Sequence, residues 1–599
     1  MPSENEVKVS APRDRFPTDV GAKELASLYS NGHYEGLLDH ICKWLQGFAQ
    51  TQIKEITPGL QRSFDTNAET LGYFLSRADL NFKQSSLLRL LRNHQAFSNI
   101  FANSCYGNAD QWVKPRINNN KISVLYLPLL QVRNSLAINR SDLFQQNNGL
   151  SSEWYGQYLF GVRSFINKNV LLNLKEHLSF WDPRMEFCLS MSNGYMRSTY
   201  IDPSLDRLWK SNFNNLVKKN FSFSKMSNKP NPKSIAVLTA RWANVHPTYK
   251  NRLPLFEALA ERFDLTLVHL GPERKDIDTR LFKKVVRASF HNGRISSPEL
   301  FNNNFSMAFY PDIGMNVESR FLSNLRIAPI QVTSNSHPVS TFGSEIDFFL
   351  TGKDSEESPS AAQRHYSERL VLLPGIGTLP VLPKVNVTAQ RESIANDRVL
   401  TVACPWGSLK VNYPLIEALN QIKVGAKREV RFRFLMTLGA DSGHLPPIHN
   451  DLMQHLGQDS VELFADLPYD LYMQRFSECD LALDAFPFGG NTSVIDSIYL
   501  QKPMVSRVGW QFYNRAGPEI LKRCGLSELC AASEDAYINK ALQLINDSHY
   551  FDTVIKNLES IDLKAVLSQL SSKSAFVDAC CHLIKERPDP RLREPLLFS

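Results

Sequence analysis

The spacing of apolar positions changes once along this chain. From about Thr18 to Phe221 they recur at helical intervals, as in ELASLYSNGHYEGLLDHICKWLQGFA and SSLLRLLRNHQAFSNIFA, with short Asn-rich polar turns between them. That interval lays an apolar stripe along one face of each helix and predicts an all-α domain. No repeat of about 34 residues runs through it, so a regular helical solenoid is not indicated, and its ordinary role would be packing or partner binding.

Ser222 to Pro232, SFSKMSNKPNP, is polar, carries two prolines and reads as a linker. Beyond it, short apolar runs alternate with helical patterns. SIAVLT, DLTLVHLG, SMAFYPDIG, APIQVTS, DFFLTG and RLVLLPG form one series, with RLPLFEALAERF helical between the first two. After the Pro-rich stretch LLPGIGTLPVLPKVNVT, a second series follows: RVLTVACP, EVRFRFLMTLG, SVELFAD, DLALDAF and KPMVSRVG, with helices such as YPLIEALNQIKV between them. Strand–helix alternation predicts parallel sheets covered by helices, here two doubly wound domains facing a cleft. The expected division is residues 1–225 helical, 230–385 the first α/β domain and 386–599 the second. Ligands of such sheets bind where the strands end.

Four strand ends carry polar candidates. After SIAVLT comes ARWANVHPTYKNR with His246, after APIQVTS comes NSHPVSTFGSE with His337, and after RVLTVAC comes PWGSLKVNYP with Lys410. The fourth, AFPFGGNTSVIDS, is the richest: a strand, a Gly-containing turn and a hydroxyl-bearing helix start make an anion site, because first-turn N–H groups have no partner inside the helix. There Thr492 or Ser493 could cap, Gly489 and Gly490 would let a ligand approach the backbone, and Asp496, one turn in, could hold a ribose hydroxyl or favour the helix start. Each has a plainer alternative. A lone histidine is more often a satisfied loop or core residue, and a lone lysine is usually solvated. Only their convergence on one face sets them apart. His269 in VHLG and His291 in a polar stretch lack such company and read as structural.

Composition narrows the setting. The 599 residues are 43% hydrophobic and 21% charged, a globular balance with room for large cores. A net charge of +7, from 67 basic and 60 acidic residues, is small for this length, and no basic run interleaved with aromatics marks a nucleic-acid path. The nine cysteines are scattered, without CxxC or Cys/His spacing for zinc, and read as reduced thiols of a cytoplasmic protein. The polar N-terminus has no signal-peptide apolar core, and no run approaches the roughly 20 apolar residues of a membrane span.

Three blocks, YPDIGMNVESRFLSNLRIAPIQVTSNSHPVSTFGSEIDFFL, WGSLKVNYPLIEAL and CDLALDAFPFGGNTSVID, resemble in order and spacing the cytoplasmic bacterial N-glycosyltransferases that modify high-molecular-weight adhesins. These stand with the O-GlcNAc transferases in glycosyltransferase family 41. FANSCYGNADQW, VLYLPL and YMRSTY extend the resemblance over most of the chain. It implies a GT-B fold behind an α-helical N-terminal domain, residues 230–385 on the acceptor side and 386–599 on the UDP-sugar side. It also implies inverting transfer of a hexose, glucose or galactose, from a UDP-sugar to Asn in Asn-X-Ser/Thr sequons. The sugar nucleotide is a co-substrate, no metal or other cofactor is implied, and the acceptor is a polypeptide such as an adhesin.

Residue by residue, the resemblance puts Lys410 at the donor diphosphate, Asp496 near the ribose, and Thr492, flanked by Asn491 and Ser493, beside the phosphates. It puts His246 at the donor-sugar and acceptor side with Tyr249 nearby, and His337 after the APIQ strand. With no metal site evident, a cation and helix-start N–H groups must stabilise the departing UDP, and Lys410 suits that. An amide nitrogen is too poor a nucleophile for a histidine base to suffice, so His246 and His337 are expected first to position substrates. There are departures. A histidine that contacts the nucleotide in those enzymes is replaced around Phe464, Ala465 and Asp466, and a donor-selecting glutamine by Ala440. Transfer to Ser or Thr, a silent GT-B scaffold and a sugar-nucleotide epimerase remain alternatives.

Overall fold

The computed structural model describes every residue except 1–18, 52, 54–55, 120, 222–228, 245, 273, 292–293, 302, 388–397 and 439–441. Most of the expected linker and the position matched to donor selection, Ala440, therefore lie outside the described residues. The chain divides into two compact units, Met1–Val162 with Gly439–Pro447, and Arg163–Leu438 with Ile448–Ser599.

The first unit is helical, as the periodicity predicts. Tyr34–Ala49, Pro58–Leu75, His94–Asn103 and Asn148–Tyr158 are among its helices, and they bury Leu38, Ile41, Phe64, Leu71, Phe97 and Trp154. Close packing explains one glycine: a Cβ on Gly72 would stand 2.3 Å from the indole of Trp112.

The second unit holds two sheets. The strands are β1 (Asn231–Thr239), β2 (Asp264–Leu270), β3 (Lys284–His291), β4 (Arg294–Ser296), β5 (Phe305–Tyr310), β6 (Ile330–Ser334), β7 (Phe348–Gly352) and β8 (Arg369–Leu373), then β9 (Leu400–Cys404), β10 (Val430–Met436), β11 (Val461–Ala465), β12 (Leu481–Leu483), β13 (Met504–Arg507), β14 (Cys530–Ala531) and β15 (Leu596–Leu597). Nine form one sheet in the order β15-β8-β7-β6-β5-β1-β2-β3-β4, and six form the other in the order β11-β10-β9-β12-β13-β14. Pairing is parallel except between β3 and β4. Strand order reverses between β1 and β5 in the first sheet and between β9 and β12 in the second. Chains leave those strands toward opposite faces there, which opens a crevice beyond their C-terminal ends. Two such sheets, following a helical region in sequence, make the GT-B arrangement.

Every strand of the two expected series forms. The sequence reading passed over β3, whose KVVRASFH mixes charge with apolar residues, and the short edge strands β4, β14 and β15. The linker stretch ends inside β1, which begins at Asn231.

Two chain segments pack away from their sequence neighbours. Helices Lys168–Ser179, Gly194–Ile201 and Pro203–Asn220 belong with the sheets and not with the first unit. Residues from 573 onward follow the second sheet in sequence but share the core of the first. Helix Lys573–Glu586 buries Phe576, Ala579, Cys580 and Leu583 against the helix Pro247–Ala260, and β15 pairs with β8. The Phe576 ring lies 5.8 Å from both Phe256 and Phe309.

Phe576 is completely buried. Phe576→Ala should therefore destabilise the second unit by about 3–5 kcal/mol, the cost of truncating a core aromatic. Urea unfolding followed by intrinsic fluorescence reads this, and a change within about 0.5 kcal/mol would show that the last helix is not part of that core.

Candidate active site

At the reversal point of the second sheet, β12 ends at Leu483 and the next residue, Asp484, turns inward. Its carboxylate is 1% exposed and accepts hydrogen bonds from the N–H of Ala485 at 2.9 Å, the N–H of Gly490 at 2.7 Å and the Ser506 hydroxyl at 2.6 Å. Burial raises its pKa, and the Lys410 charge and these donors pull the other way. Those bonds fold Phe486–Gly490 back over the strand end. A Cβ on Gly490 would stand 2.1 Å from Ser493 Oγ and 2.8 Å from Asp484 Oδ1, so the close approach requires glycine.

Lys410 enters from β9 through the turn Ser408–Lys410. Its Nζ donates to the Gly489 carbonyl at 2.7 Å and stands 5.4 Å from the Phe488 ring centroid. Burial lowers its pKa, and Asp484 opposes that shift. One buried carboxylate and one half-buried ammonium thus hold the same glycine loop from two sides.

The helix after the loop runs from Thr492 to Tyr499 with Asn491 as N-cap, and no side chain closes its start. This corrects the capping expectation: Thr492 is already the first helical residue, and neither it nor Ser493 caps. The first-turn N–H groups are left without a side-chain acceptor, at the positive end of the helix dipole.

The first sheet supplies the opposite wall. His246 caps the helix Pro247–Ala260, its Nδ1 accepting the Thr248 N–H at 3.1 Å. That bond leaves its proton on Nε2. Burial lowers its pKa to about 4, assisted by Arg241 and Arg274. His337, beyond β6, is 4% exposed, and burial holds it well below the usual histidine range, with Lys210 and Arg320 adding to the shift. Both imidazoles are neutral near pH 7.

These groups meet around one cavity of about 320 Å³, lined by His246, His337, Lys410, Asn491, Thr492 and Ser493 together with Met196 and Tyr200 from the helix Gly194–Ile201. Thr248 Oγ1, Asn335 Oδ1, Asn491 Oδ1 and Tyr513 Oη also belong to its lining residues and are buried without a hydrogen-bond partner. Unpaired polar atoms gathered around one hollow are the arrangement a polar ligand completes.

Asp496 and Tyr249 lie one step away. Together with Thr492 they line an adjoining cavity, and Asp496 also lines a slot at the ends of β9, β10 and β11 with Trp406, Met436, Phe464 and Tyr472. Asp496 is 2% exposed and accepts the Tyr469 hydroxyl at 2.7 Å. Burial pushes its pKa up to about 7, with Tyr469, Lys250 and Tyr472 pulling it down. The Tyr249 hydroxyl donates to Asp278 at 2.5 Å and is not free for a ligand. His269 is buried on β2 with its Nε2 2.8 Å from the Pro272 carbonyl, a structural histidine as expected. His291 ends β3 instead of lying in a loop.

Asp484, Tyr469 and the Met196–Tyr200 wall escaped the sequence reading. The available signals were Asp484, a lone carboxylate at the end of the apolar run LALDAF, and YMRSTY, which carries Met196 and Tyr200 within the resemblance. Among the described residues no group of three or more His, Cys, Asp or Glu side chains is placed to hold a metal ion.

No protein-family model matches the chain. It is 25% identical over 454 residues to the UDP-glucose:protein N-beta-glucosyltransferase of Actinobacillus pleuropneumoniae serotype 5b (strain L20), covering 71% of this chain and 70% of that protein. It is 30% identical over 247 residues to the protein of the same description from serotype 7 (strain AP76), 41% of this chain and 38% of that one. A probable UDP-N-acetylglucosamine--peptide N-acetylglucosaminyltransferase SPINDLY of Hordeum vulgare is 27% identical over 254 residues, 40% of this chain and 25% of that protein. Among solved structures, a Thermobaculum terrenum O-GlcNAc transferase mutant superposes with a TM-score of 0.55 at 15% identity, over 94% of this chain and 97% of that one, a likeness of fold. The fold and these relatives agree with the resemblance seen in the sequence, to the bacterial protein N-glucosyltransferases and the O-GlcNAc transferases of glycosyltransferase family 41.

Proposed function

We propose that this glycosyltransferase moves a hexose, glucose foremost, from a UDP-sugar to the side-chain nitrogen of Asn in Asn-X-Ser/Thr sequons of a polypeptide, with inversion and without a metal ion. The observation that carries the reading is the shared cavity: an ammonium, an uncapped helix start and two neutral histidines face one another across the ends of both sheets. In the reaction the acceptor nitrogen bonds the anomeric carbon as the carbon–oxygen bond to the diphosphate breaks, the electron pair leaves on UDP, and the proton given up by the nitrogen passes to the departing diphosphate or to water. Lys410 and the N–H groups of Thr492 and Ser493 are suited to that growing charge, because they are held in place before it forms.

Opposite them, His246 and His337 orient donor sugar and acceptor, and the slot holding Asp496 takes the nucleoside, its carboxylate accepting ribose hydroxyls. The cytoplasm fits nine unpaired cysteines, and among the described residues no helix is long and apolar enough to cross a membrane.

Incubating the protein with each of UDP-glucose, UDP-galactose and UDP-N-acetylglucosamine and an Asn-X-Thr peptide, in excess chelator, should add one hexose to the Asn, from UDP-glucose foremost, located by fragmentation mass spectrometry. Sugar found on Thr, or turnover that needs Mg²⁺ or Mn²⁺ restored, would overturn the corresponding part of the reading.

Lys410→Ala should lower kcat by roughly 10² or more and weaken UDP binding, since an interaction that strengthens in the transition state is lost. Steady-state kinetics and calorimetry on the folded variant decide. Near-normal values for both would mean the diphosphate is held elsewhere.

Asp496 links pH to both stability and binding. An ordinary aspartate titrates near pH 4, and here the folded value is about 7. The folded state therefore retains a proton that the unfolded chain releases, so this residue costs increasing stability as pH rises from about 4 to about 7 and a constant amount above. Asp496→Asn should stabilise the fold at about pH 8, by a cost of the order of 2–4 kcal/mol relieved, and change little at about pH 4. Ribose hydroxyls need the carboxylate, so affinity for UDP-glucose, whose diphosphate diester does not titrate there, should rise through about pH 7 in the wild type only. Thermal melts and titration calorimetry over that range test both; pH-independent binding by the wild type would remove Asp496 from the ribose site.

A further inference from the structure

Helix Pro203–Asn220 reads PSLDRLWKSNFNNLVKKN, and one turn separates Asp206 from Lys210 on its buried face. The two form an ion pair at 3.1 Å with side-chain exposures of 1% and 0%. Such a pair is costly to bury and carries little stability by itself. What it touches is more informative. Lys210 Nζ lies 3.1 Å from Thr199 Oγ1, 3.5 Å from the Ser340 carbonyl and 3.4 Å from Nε2 of His337, and 4.9 Å from the Tyr195 ring centroid.

The chemistry of the ammonium bears on the histidine. An ammonium has three hydrogens and no lone pair, so it only donates. Asp206 accepts from the Ser198 and Thr199 hydroxyls at 2.7 and 3.1 Å, as a carboxylate does, which leaves Lys210 as its counter-ion. An Nε2–H pointed at that ammonium would set two positive hydrogens against each other across 3.4 Å, so the arrangement favours the Nε2 lone pair facing Lys210 and the imidazole proton on Nδ1. Geometry holds this orientation: the Nε2–Cδ2 edge is packed on Gly314, where a Cβ would stand 3.2 and 3.1 Å from those atoms. Gly314, at φ 106, is pinned by the Arg320 guanidinium donating to its carbonyl at 2.9 Å. The opposite edge of the ring is left for the cavity that His337 lines. Lys210 and Arg320 are the cations facing the imidazole, and the nearby Glu368 is taken up by the Ser340 hydroxyl at 2.6 Å and the Thr341 N–H at 2.8 Å.

We propose that Lys210 is a positioning residue of the transfer site, whose ammonium locks His337 as the neutral Nδ1–H tautomer, so that His337 offers the substrates a hydrogen-bond donor and is withheld from base catalysis. The inference rests on the reading of this cavity as the transfer site, but the tautomer can be observed without any substrate.

The full chain labelled with ¹⁵N-histidine, with His337→Gln to assign the signals, should show Nδ1 protonated and Nε2 bare, unchanged from about pH 5 to about pH 9. A proton on Nε2, or titration within that range, would overturn the proposal. Removing both charges with Asp206→Asn/Lys210→Met leaves no orphan ion, and in this variant His337 should gain the Nε2–H form or begin to titrate, with kcat reduced about tenfold or more and KM for UDP-glucose within about twofold. An unchanged His337 spectrum in the folded double variant also counts against Lys210. If the double variant does not fold, the wild-type spectrum decides alone. A locked Nδ1–H tautomer in a protein that glycosylates no peptide would leave the Lys210–His337 lock standing and remove its role in transfer together with the proposed function.

Discussion

The site depends on a buried carboxylate that has enough donors to stay where it is. Asp484 has lost its water, and an isolated charge in that place would cost several kcal/mol. It is retained because two backbone N–H groups and a hydroxyl point at it and the Lys410 charge opposes the effect of burial. The same bonds shape the glycine loop that leads into the helix start. The loop cannot relax without stranding the carboxylate, so the N–H groups at Thr492 and Ser493 are organised before any ligand arrives. Preorganisation of this kind lets fixed dipoles outperform water for a developing anion.

A similar economy recurs across the cavity. His246 serves as a helix N-cap through Nδ1, which leaves Nε2–H as the group it can offer, while His337 has its Nε2 edge buried against Gly314 and Lys210. Both rings are oriented by bonds made on the side away from the cavity, and both are kept neutral by burial and neighbouring cations. Asp496 follows the opposite logic. Burial raises its carboxyl pKa to about 7 against the opposing pull of Tyr469, Lys250 and Tyr472, so its charge becomes sensitive to what binds beside it.

Packing that crosses the order of the chain supports these walls. Helix Lys573–Glu586 returns to the first sheet and completes its core, and the helices between Lys168 and Asn220 lie with the sheets, bringing Met196 and Tyr200 to the cavity and Lys210 to the back of His337. A site between two sheets is thereby built from segments several hundred residues apart, which lets loop residues be positioned by rigid elements.

Hydrophobic period was sufficient to determine, from the sequence alone, a helical region, both strand series and the strand ends that meet at the cavity, because the period of 3.6 or 2 is a property of local backbone geometry. Lys410, His246, His337 and the Asn491–Asp496 helix start were legible for the same reason: each follows an apolar run at its C-terminal end. Tertiary structure alone decided the rest. That Asn491 and not Thr492 is the N-cap of the helix depends on a loop tied to Asp484, and the inward turn of Asp484 depends on Ser506 from another strand. Tyr249 sits beside the right helix start yet spends its hydroxyl on Asp278. Asp206 and Lys210, an ordinary i,i+4 pair in sequence, become a buried clamp on a histidine 127 residues away only because their helix is packed on the second unit's sheets. Burial, partner choice and the proton's location on an imidazole are set by neighbours in space, and no local pattern in the chain carries them.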